Sequence, residues 1–129
     1  MNEVLKFLQA NPLLYLATVG TNGKAKCRPF MFFFEQEGKL WFCTSNEKQV
    51  YRDMQKNPNV EFCAADQSAT WLRIAGKAIF KNDLAIKEAV LAKSELVRKL
   101  FQTADNPTLE VFYLADAHSV ISDFSGRAA

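Results

Sequence analysis

Short apolar runs separated by turn residues dominate the first half of the chain. Leu13–Val19 is a compact apolar run of the kind that forms a buried strand. It is followed by Asn22-Gly23, the dipeptide that most strongly favours a hairpin turn. The chain is therefore predicted to turn back as a second strand over 24–34 and, after a polar turn, to form a third strand over 40–43.

Two helices are predicted in this half of the chain. The N-terminal segment has an apolar face and ends before Pro12, which predicts a short helix. Thr44 with Glu47 three residues later matches a capping box, so a second helix is predicted over 44–57.

The second half of the chain combines further strands with one longer helix. The predicted strands are 60–65, 71–80, 109–114 and 119–124. A third helix, capped by Asn82 or Asp83, is predicted to run to about Phe101.

The order of these elements predicts a mainly β fold, in which antiparallel strands close into a small barrel and three helices cover it. A βαβ alternation and a GxGxxG sequence are both missing from the chain, which argues against a Rossmann domain. The 129 residues contain neither a linker nor a repeat, so one domain over 1–129 is expected.

The composition narrows the class of protein. Hydrophobic residues make up 49% of the chain, and sixteen basic residues nearly balance fourteen acidic ones, so neither nucleic acid nor a membrane is an expected partner. Cys27, Cys43 and Cys63 are an odd and widely spaced set, and the N-terminus lacks signal-peptide features; both fit the cytoplasm. His118 is the single histidine, so no metal site is expected.

Arg28-Pro29-Phe30 interrupts an apolar strand and is the first candidate for chemistry. Arg28 carries a rigid fork of five donors, which suits a planar heterocycle or a phosphate. Pro29 cannot donate to a ladder, so it is predicted at an edge or a bulge, where nearby backbone groups are free to bond a ligand. The simpler alternative is a solvent-facing arginine on an edge strand.

The segment that begins at Thr44 offers the parts of an anion site at the predicted start of a helix. Unpaired N–H groups and the positive end of the helix dipole would lie beside Thr44, Ser45 and Lys48, an arrangement that favours phosphate. Lys48, Arg52 and Lys56 also recur at every fourth residue and form a basic stripe. The alternatives are that Thr44 only caps the helix and that the stripe is a solvated face.

Trp71 and Arg73 share one face of a predicted strand, while Leu72 and Ile74 share the other. The face of Leu72 and Ile74 is expected to lie in the core. Trp71 and Arg73 would then form a surface stacking pair, a second wall of a pocket, or part of a subunit interface.

Taken in order, these blocks resemble one protein family. The blocks are Ala17-Thr18-Val19-Gly20 before the Asn-Gly turn, Arg28-Pro29-Phe30, Leu40-Trp41-Phe42-Cys43-Thr44-Ser45 with Lys48, Asn57-Pro58-Asn59-Val60, and Trp71-Leu72-Arg73-Ile74-Ala75-Gly76-Lys77. Their order and spacing over about 13–124 resemble the pyridoxamine 5′-phosphate oxidase-like FMN-binding split-barrel proteins. Within that family they are most similar to the short members grouped with nitroimidazole-resistance proteins.

This resemblance implies a split barrel that works as a homodimer, with two FMN molecules in grooves between the subunits. The implied cofactor-binding residues are Arg28, Pro29 and Phe30 along the isoalloxazine ring, Thr44, Ser45 and Lys48 at the phosphate, and Trp71 and Arg73 from the other subunit.

The functional hypothesis is therefore a small FMN-dependent oxidoreductase, of the flavin-reductase or nitroreductase kind, whose small-molecule substrate is unidentified. The Arg-x-His segment of the true oxidases has no counterpart near the C-terminus, so FMN binding is expected and oxidation of pyridoxamine phosphate is not. The flavin itself supplies the redox chemistry, so no catalytic side chain is predicted. The alternatives are a non-catalytic flavin-binding or redox-sensing protein, and a barrel that binds single-stranded nucleic acid, which the near-neutral charge disfavours.

Overall fold

The computed structural model describes residues 2–126, which form four helices and seven strands. The helices are α1 (Asn2–Ala10), α2 (Gln49–Lys56), α3 (Leu84–Lys93) and α4 (Glu95–Phe101). The strands are β1 (Leu13–Val19), β2 (Ala25–Met31), β3 (Phe34–Gln36), β4 (Lys39–Ser45), β5 (Asn59–Ala65), β6 (Thr70–Lys81) and β7 (Leu109–Asp123). Residues 1 and 127–129, which the predicted domain includes, lie outside the described residues. Within 2–126, every helix is too short or too polar to cross a membrane.

The seven strands form one antiparallel sheet that curls into a barrel. Their order in the sheet is β2-β1-β5-β6-β7-β4-β3. Phe30 of the edge strand β2 packs against Phe112 of β7, with the ring centroids 6.0 Å apart. Phe42 of β4 stacks on Phe62 of β5 at 4.2 Å. These contacts join strands that are not neighbours in the sheet, so the aromatic rings fill a barrel interior, and the predicted mainly β barrel is confirmed.

The barrel has a gap, called the split here, between β2 and β4. The strand predicted over 24–34 breaks at Phe32 and Phe33, because β2 pairs with β1 whereas β3 pairs with β4. At the break, the N–H of Phe32 donates to the carbonyl of Pro12 at 2.9 Å, and the Phe32 ring enters the core. Pro29 lies on the edge strand β2, as predicted.

The predicted capping box at Thr44 is wrong. Thr44 and Ser45 belong to β4, where they pair with Glu110 and Leu109 of β7. The ladder satisfies backbone groups that a cap would otherwise have to satisfy, so the strand extends to Ser45 and α2 begins only at Gln49.

The long helix predicted up to Phe101 is two helices. The Asp83 cap is confirmed, since its carboxylate accepts from the N–H of Ile86 at 3.2 Å. Ser94, however, adopts an extended conformation, and its hydroxyl accepts from the N–H of Val97 at 3.2 Å. This serine ends α3 and caps α4.

The two strands predicted over 109–114 and 119–124 are one continuous strand, β7. It pairs along nearly its whole length with β6, and the register shifts once, at Gly76. A Cβ at Gly76 would lie 3.0 Å from the carbonyl oxygen of Ala115, so a larger residue would require the neighbouring backbone of β7 to shift by a few tenths of an ångström. The bend predicted at Gly76 is therefore a β-bulge.

A buried ion pair attaches α2 to β1 and β2. Asp53 of α2 is fully buried, and its carboxylate lies 3.1 Å from the guanidinium of Arg28. The hydroxyl of Thr18 donates to the same carboxylate at 3.1 Å and accepts from Arg28 at 2.7 Å. Burial alone would raise the pKa of Asp53, but hydrogen bonds from Gln49, Thr18 and the N–H of Thr21, with the charge of Arg28, lower it below its usual range.

We expect Asp53→Asn to lower the free energy of unfolding by up to about 3 kcal/mol, because it leaves the Arg28 guanidinium without a counter-charge. A lowered folded pKa means that the carboxylate stabilises the protein above its unfolded pKa of about 3.9, and that this contribution is lost as the pH falls through the folded value. Urea unfolding between about pH 3 and 7 should therefore show a shallower acid dependence for the variant than for the wild type.

The matched control is Asp116→Asn, at an exposed aspartate whose φ of 52° asparagine also tolerates. This variant should keep the acid dependence of the wild type. An unchanged acid profile in Asp53→Asn would contradict the assignment.

Candidate functional site

The split contains a pocket of about 220 Å³. One wall comes from β2 and Phe33, and the other comes from β4. Lys48, just before α2, and residues of α4 complete the lining. Its lining includes Pro29, Phe30, Met31, Phe33, Cys43, Thr44, Ser45, Lys48, Leu96 and Leu100.

One end of the pocket has the character of an anion site. The Oγ1 of Thr44 is buried and has no hydrogen-bond partner; within residues 2–126 only the Nε1 of Trp41 shares this condition. Lys48 is exposed, and its ammonium makes no hydrogen bond or ion pair with any other described residue. A buried hydroxyl without a partner is costly, so an oxygen-rich anion that bonds Thr44 and attracts Lys48 fits this end.

The other end of the pocket is apolar. Pro29, Met31 and Phe33 line it from the split. From α4, Leu96 and Leu100 line it while remaining 63% and 62% exposed. Apolar walls next to a small number of polar groups are typical of sites for flat organic ligands.

Cys43 also lines the pocket. Burial raises the pKa of its thiol to about 12, although the nearby charge of Lys48 acts to lower it. The thiol therefore stays protonated at neutral pH, and a protonated thiol is a poor nucleophile.

Arg28 supports the pocket from behind instead of lining it. Its terminal nitrogens donate to the carbonyl of Leu16 at 3.2 Å, to Thr18 and to Asp53. The carboxylate of Asp53 therefore positions both Arg28 and α2, the helix that follows Lys48. Sequence analysis missed Asp53, and the available signal was an acid placed within the basic stripe of Lys48, Arg52 and Lys56.

Trp71 and Arg73 are not brought to this pocket within the chain. The ring of Trp71 packs against Phe124 at 4.7 Å, and Arg73 pairs with Glu61 at 2.6 Å. Leu72 and Ile74 are each 1% exposed, so the predicted core face of this strand is confirmed.

Trp71 and Arg73 lie on an exposed face of the sheet that is largely apolar, called the outer face here. Strand pairing aligns one row across it: Pro29, Tyr15, Cys63, Arg73 and Val120. Its exposed large hydrophobic residues are Leu13, Tyr15, Val19, Met31 and Val120, each between 38% and 49% exposed. Pro29 and Met31 belong to both the outer face and the pocket, so the two features are continuous.

His118 is exposed on β7, opposite Ala75, and does not line the pocket. Sequence analysis assigned this residue no site role.

Comparison with known proteins agrees with this architecture. A family model described as pyridoxamine 5′-phosphate oxidase matches residues 1–119. A NimC/NimA family protein from Clostridium acetobutylicum is 28% identical, with a TM-score of 0.86 over 99% of this chain and 91% of that chain. No protein with curated annotation is detectably similar in sequence.

Two more distant structures share the fold alone. General stress protein 26 from Bacillus anthracis is 18% identical, with a TM-score of 0.77 over 99% of this chain and 95% of that chain. A heme binding protein from Mycobacterium smegmatis is 18% identical, with a TM-score of 0.72 over 97% of this chain and 55% of that chain.

The two buried threonines should respond oppositely to replacement by valine, which has nearly the same shape. In flavin-free protein, Thr44→Val should raise the free energy of unfolding by about 1 kcal/mol, because it removes a buried hydroxyl without a partner. Thr18→Val is the matched control and should lower it by about 1–3 kcal/mol, because it breaks the bonds to Arg28 and Asp53. Urea unfolding measures both effects. An equal loss of unfolding free energy in the two variants would contradict the conclusion that the hydroxyl of Thr44 has no partner.

Proposed function

The chain belongs to the pyridoxamine 5′-phosphate oxidase family, and on this premise we propose that it is a flavoprotein that binds FMN in the split. Members of the family typically bind flavin. The observation that carries the proposal is the unpartnered, buried hydroxyl of Thr44 beside the free ammonium of Lys48, at one end of an otherwise apolar pocket.

Each end of the pocket suits one part of FMN. Thr44, Ser45 and Lys48 would hold the terminal phosphate, as the family resemblance implies. Pro29 and Phe30 would lie along the isoalloxazine ring. The pocket offers one compact anion site, which suits the single phosphate of FMN better than the pyrophosphate and adenosine of FAD.

We propose an FMN-dependent oxidoreductase of the flavin-reductase or nitroreductase kind. When bound, the flavin supplies hydride and electron transfer, while the protein binds it, orients it and excludes water. Apart from Lys48, no lining residue of the pocket carries a charge at neutral pH. The apolar walls therefore favour an uncharged acceptor.

The same observation supports the second candidate, a flavin-binding or redox-sensing protein without turnover. A screen of electron acceptors, after reduction of the bound flavin by NADH or NADPH, separates the two candidates. Turnover with at least one acceptor supports the enzyme, whereas a reduced flavin that only returns slowly to the oxidised form in air supports the carrier or sensor.

A haem is a poorer fit than flavin for this pocket. Haem iron needs an axial ligand such as histidine, thiolate or methionine. Of these ligands, the pocket of one chain offers only Met31, since His118 is not among its lining residues and the raised pKa of Cys43 disfavours a thiolate. The likeness to the heme binding protein from Mycobacterium smegmatis is therefore one of fold.

We propose that the working unit is a homodimer formed through the outer face. The pocket of a single chain is smaller than the roughly 300–1,000 Å³ that is usual for ligand sites, and it opens beside Pro29 and Met31 on that face. A second copy would cover the exposed apolar row and complete the pocket. Trp71 and Arg73 lie on the same face, where they could reach the pocket of the second copy.

The three free cysteines fit the reducing cytoplasm, which we propose as the compartment.

Replacing Lys48 by alanine should weaken FMN binding more than riboflavin binding, because riboflavin lacks the phosphate. One charge-assisted contact is worth about 1.5–3 kcal/mol, which is roughly a tenfold to hundredfold change in Kd. Titration of flavin-free protein, followed by flavin fluorescence, measures both affinities. Lys6→Ala, at an exposed lysine of α1, is the control and should change neither.

The flavin that co-purifies with the wild type should chromatograph as FMN. Equal weakening of both flavins in Lys48→Ala, or FAD as the sole bound flavin, would contradict the phosphate site.

Tyr15→Glu should separate the dimer and release FMN on dilution. Loss of a central interface aromatic costs about 2 kcal/mol or more, and the change occurs twice in a symmetric dimer, so the dimer Kd should rise on the order of a thousandfold. Sedimentation across a concentration series, with and without FMN, measures both effects, and FMN should tighten the wild-type dimer by linkage.

Leu84→Glu is the control, since Leu84 is 53% exposed and lies on α3, away from the outer face. It should stay dimeric. A Tyr15→Glu protein that remains dimeric and retains FMN would show that the outer face is not the interface.

A further inference from the structure

Four basic side chains form an exposed strip along α2 and the adjacent hairpin, called the basic strip here: Lys48, Arg52, Lys56 and Lys26. Arg52 and Lys56 lie four residues apart on α2 and so share one face of the helix, and Lys48 precedes the first residue of the helix. Lys56 donates to the carbonyl of Thr21 at 2.8 Å. The Cε of Lys26 lies 3.0 Å from the position that a Cβ on Gly20 would take. The hairpin therefore carries Lys26 beside the end of the helix stripe.

The cations of the basic strip have no counter-ions within residues 2–126. Arg52 donates only to the carbonyl of Glu47 and to the side chain of Gln49. The acid at the centre of α2, Asp53, is fully buried and already paired with Arg28. Glu47 is the one exposed carboxylate in the 47–56 segment. The formal net charge of the chain is only +2, so the strip concentrates positive charge on one surface.

The shape of the strip indicates the kind of anion it fits. Lys48 and Lys56 lie eight residues apart, about 12 Å along the helix axis, so the strip suits several phosphate groups in a row. Binding of single-stranded RNA would call for aromatic platforms, but the most exposed aromatic side chain, Phe124, packs with Trp71 instead. Insertion into a lipid surface would require exposed apolar side chains on the strip. Among the described residues, the exposed large hydrophobic side chains lie outside the strip.

Lys48 joins the basic strip to the pocket, because it is the first residue of the strip and also lines the proposed FMN site. We infer that the strip is the docking surface for the phosphates of a nicotinamide dinucleotide, the reductant of the proposed flavoprotein. One part of the inference rests on the proposed function, namely that this ligand acts as the reductant. When FMN is bound, Lys48 faces its phosphate, so Lys26, Arg52 and Lys56 remain for the dinucleotide. Three cations suit the three phosphates of NADP better than the two of NAD, so the strip assigns a preference for the 2′-phosphorylated form.

Binding to flavin-free protein tests this inference without any turnover. NADP⁺ and NAD⁺ are titrated by calorimetry at about 50 and 200 mM salt against the wild type and the double variant Arg52→Gln/Lys56→Gln. The wild type should bind NADP⁺ more tightly than NAD⁺ and lose affinity at the higher salt. The double variant should lose about tenfold in NADP⁺ affinity for each cation removed. Lys6→Gln, which removes a charge on α1, is the control and should bind as the wild type does.

The folding check uses FMN, since neither Arg52 nor Lys56 lines the pocket. The double variant should bind FMN within about twofold of the wild type. Equal NADP⁺ affinity in the wild type and the double variant, or no NADP⁺ binding by the wild type, would overturn the inference. Tighter binding of a single-stranded RNA than of NADP⁺ at the same salt would also overturn it.

The two proposals can fail separately. A wild type that binds FMN but not NADP⁺ retains the flavin site and loses the docking surface. A wild type that binds NADP⁺ through the strip but does not bind FMN retains the docking surface and loses the proposed flavin site.

Discussion

The site depends on one change of pairing partner along the chain. β2 pairs with β1 as far as Met31; then Phe32 bonds to the carbonyl of Pro12, and the chain continues as β3 against β4. Backbone ladder bonds therefore do not join β2 to β4, and the barrel stays open between them. Both ends of the pocket, the polar and the apolar, open into this gap.

The buried polar groups near the gap fall into two kinds. Thr18, Arg28 and Asp53 satisfy one another, so their network holds α2 against the barrel. Thr44 is equally buried, but its hydroxyl has no partner. A buried hydroxyl without a partner lowers the stability of the fold. The fold satisfies Thr18 but leaves Thr44 unpaired, and a ligand that bonds to Thr44 would restore that stability. This contrast is the reason that Thr44, and not Thr18, is proposed as a binding position.

Two surfaces of different chemistry meet at the pocket. The apolar outer face reaches it through Met31, and the basic strip reaches it through Lys48. Burial of apolar area favours a second copy of the chain on the first surface, while unpaired cations favour phosphates on the second. The two proposed roles, subunit contact and recognition of charged ligands, are compatible within one small barrel because they use separate faces.

The sequence by itself determined the features that depend on neighbouring residues: β1, the edge position of Pro29, the Asp83 cap, and the core face of Leu72 and Ile74. Alternation, turn chemistry and capping act over a few residues, so their signals are local. Only the tertiary structure decided that Thr44 lies in a strand, because the competing ladder comes from Glu110, far along the chain. It also decided that Asp53 pairs with Arg28. In the sequence Asp53 is one acid within a basic stripe, and the residues that bury and pair it come together only when the sheet curls.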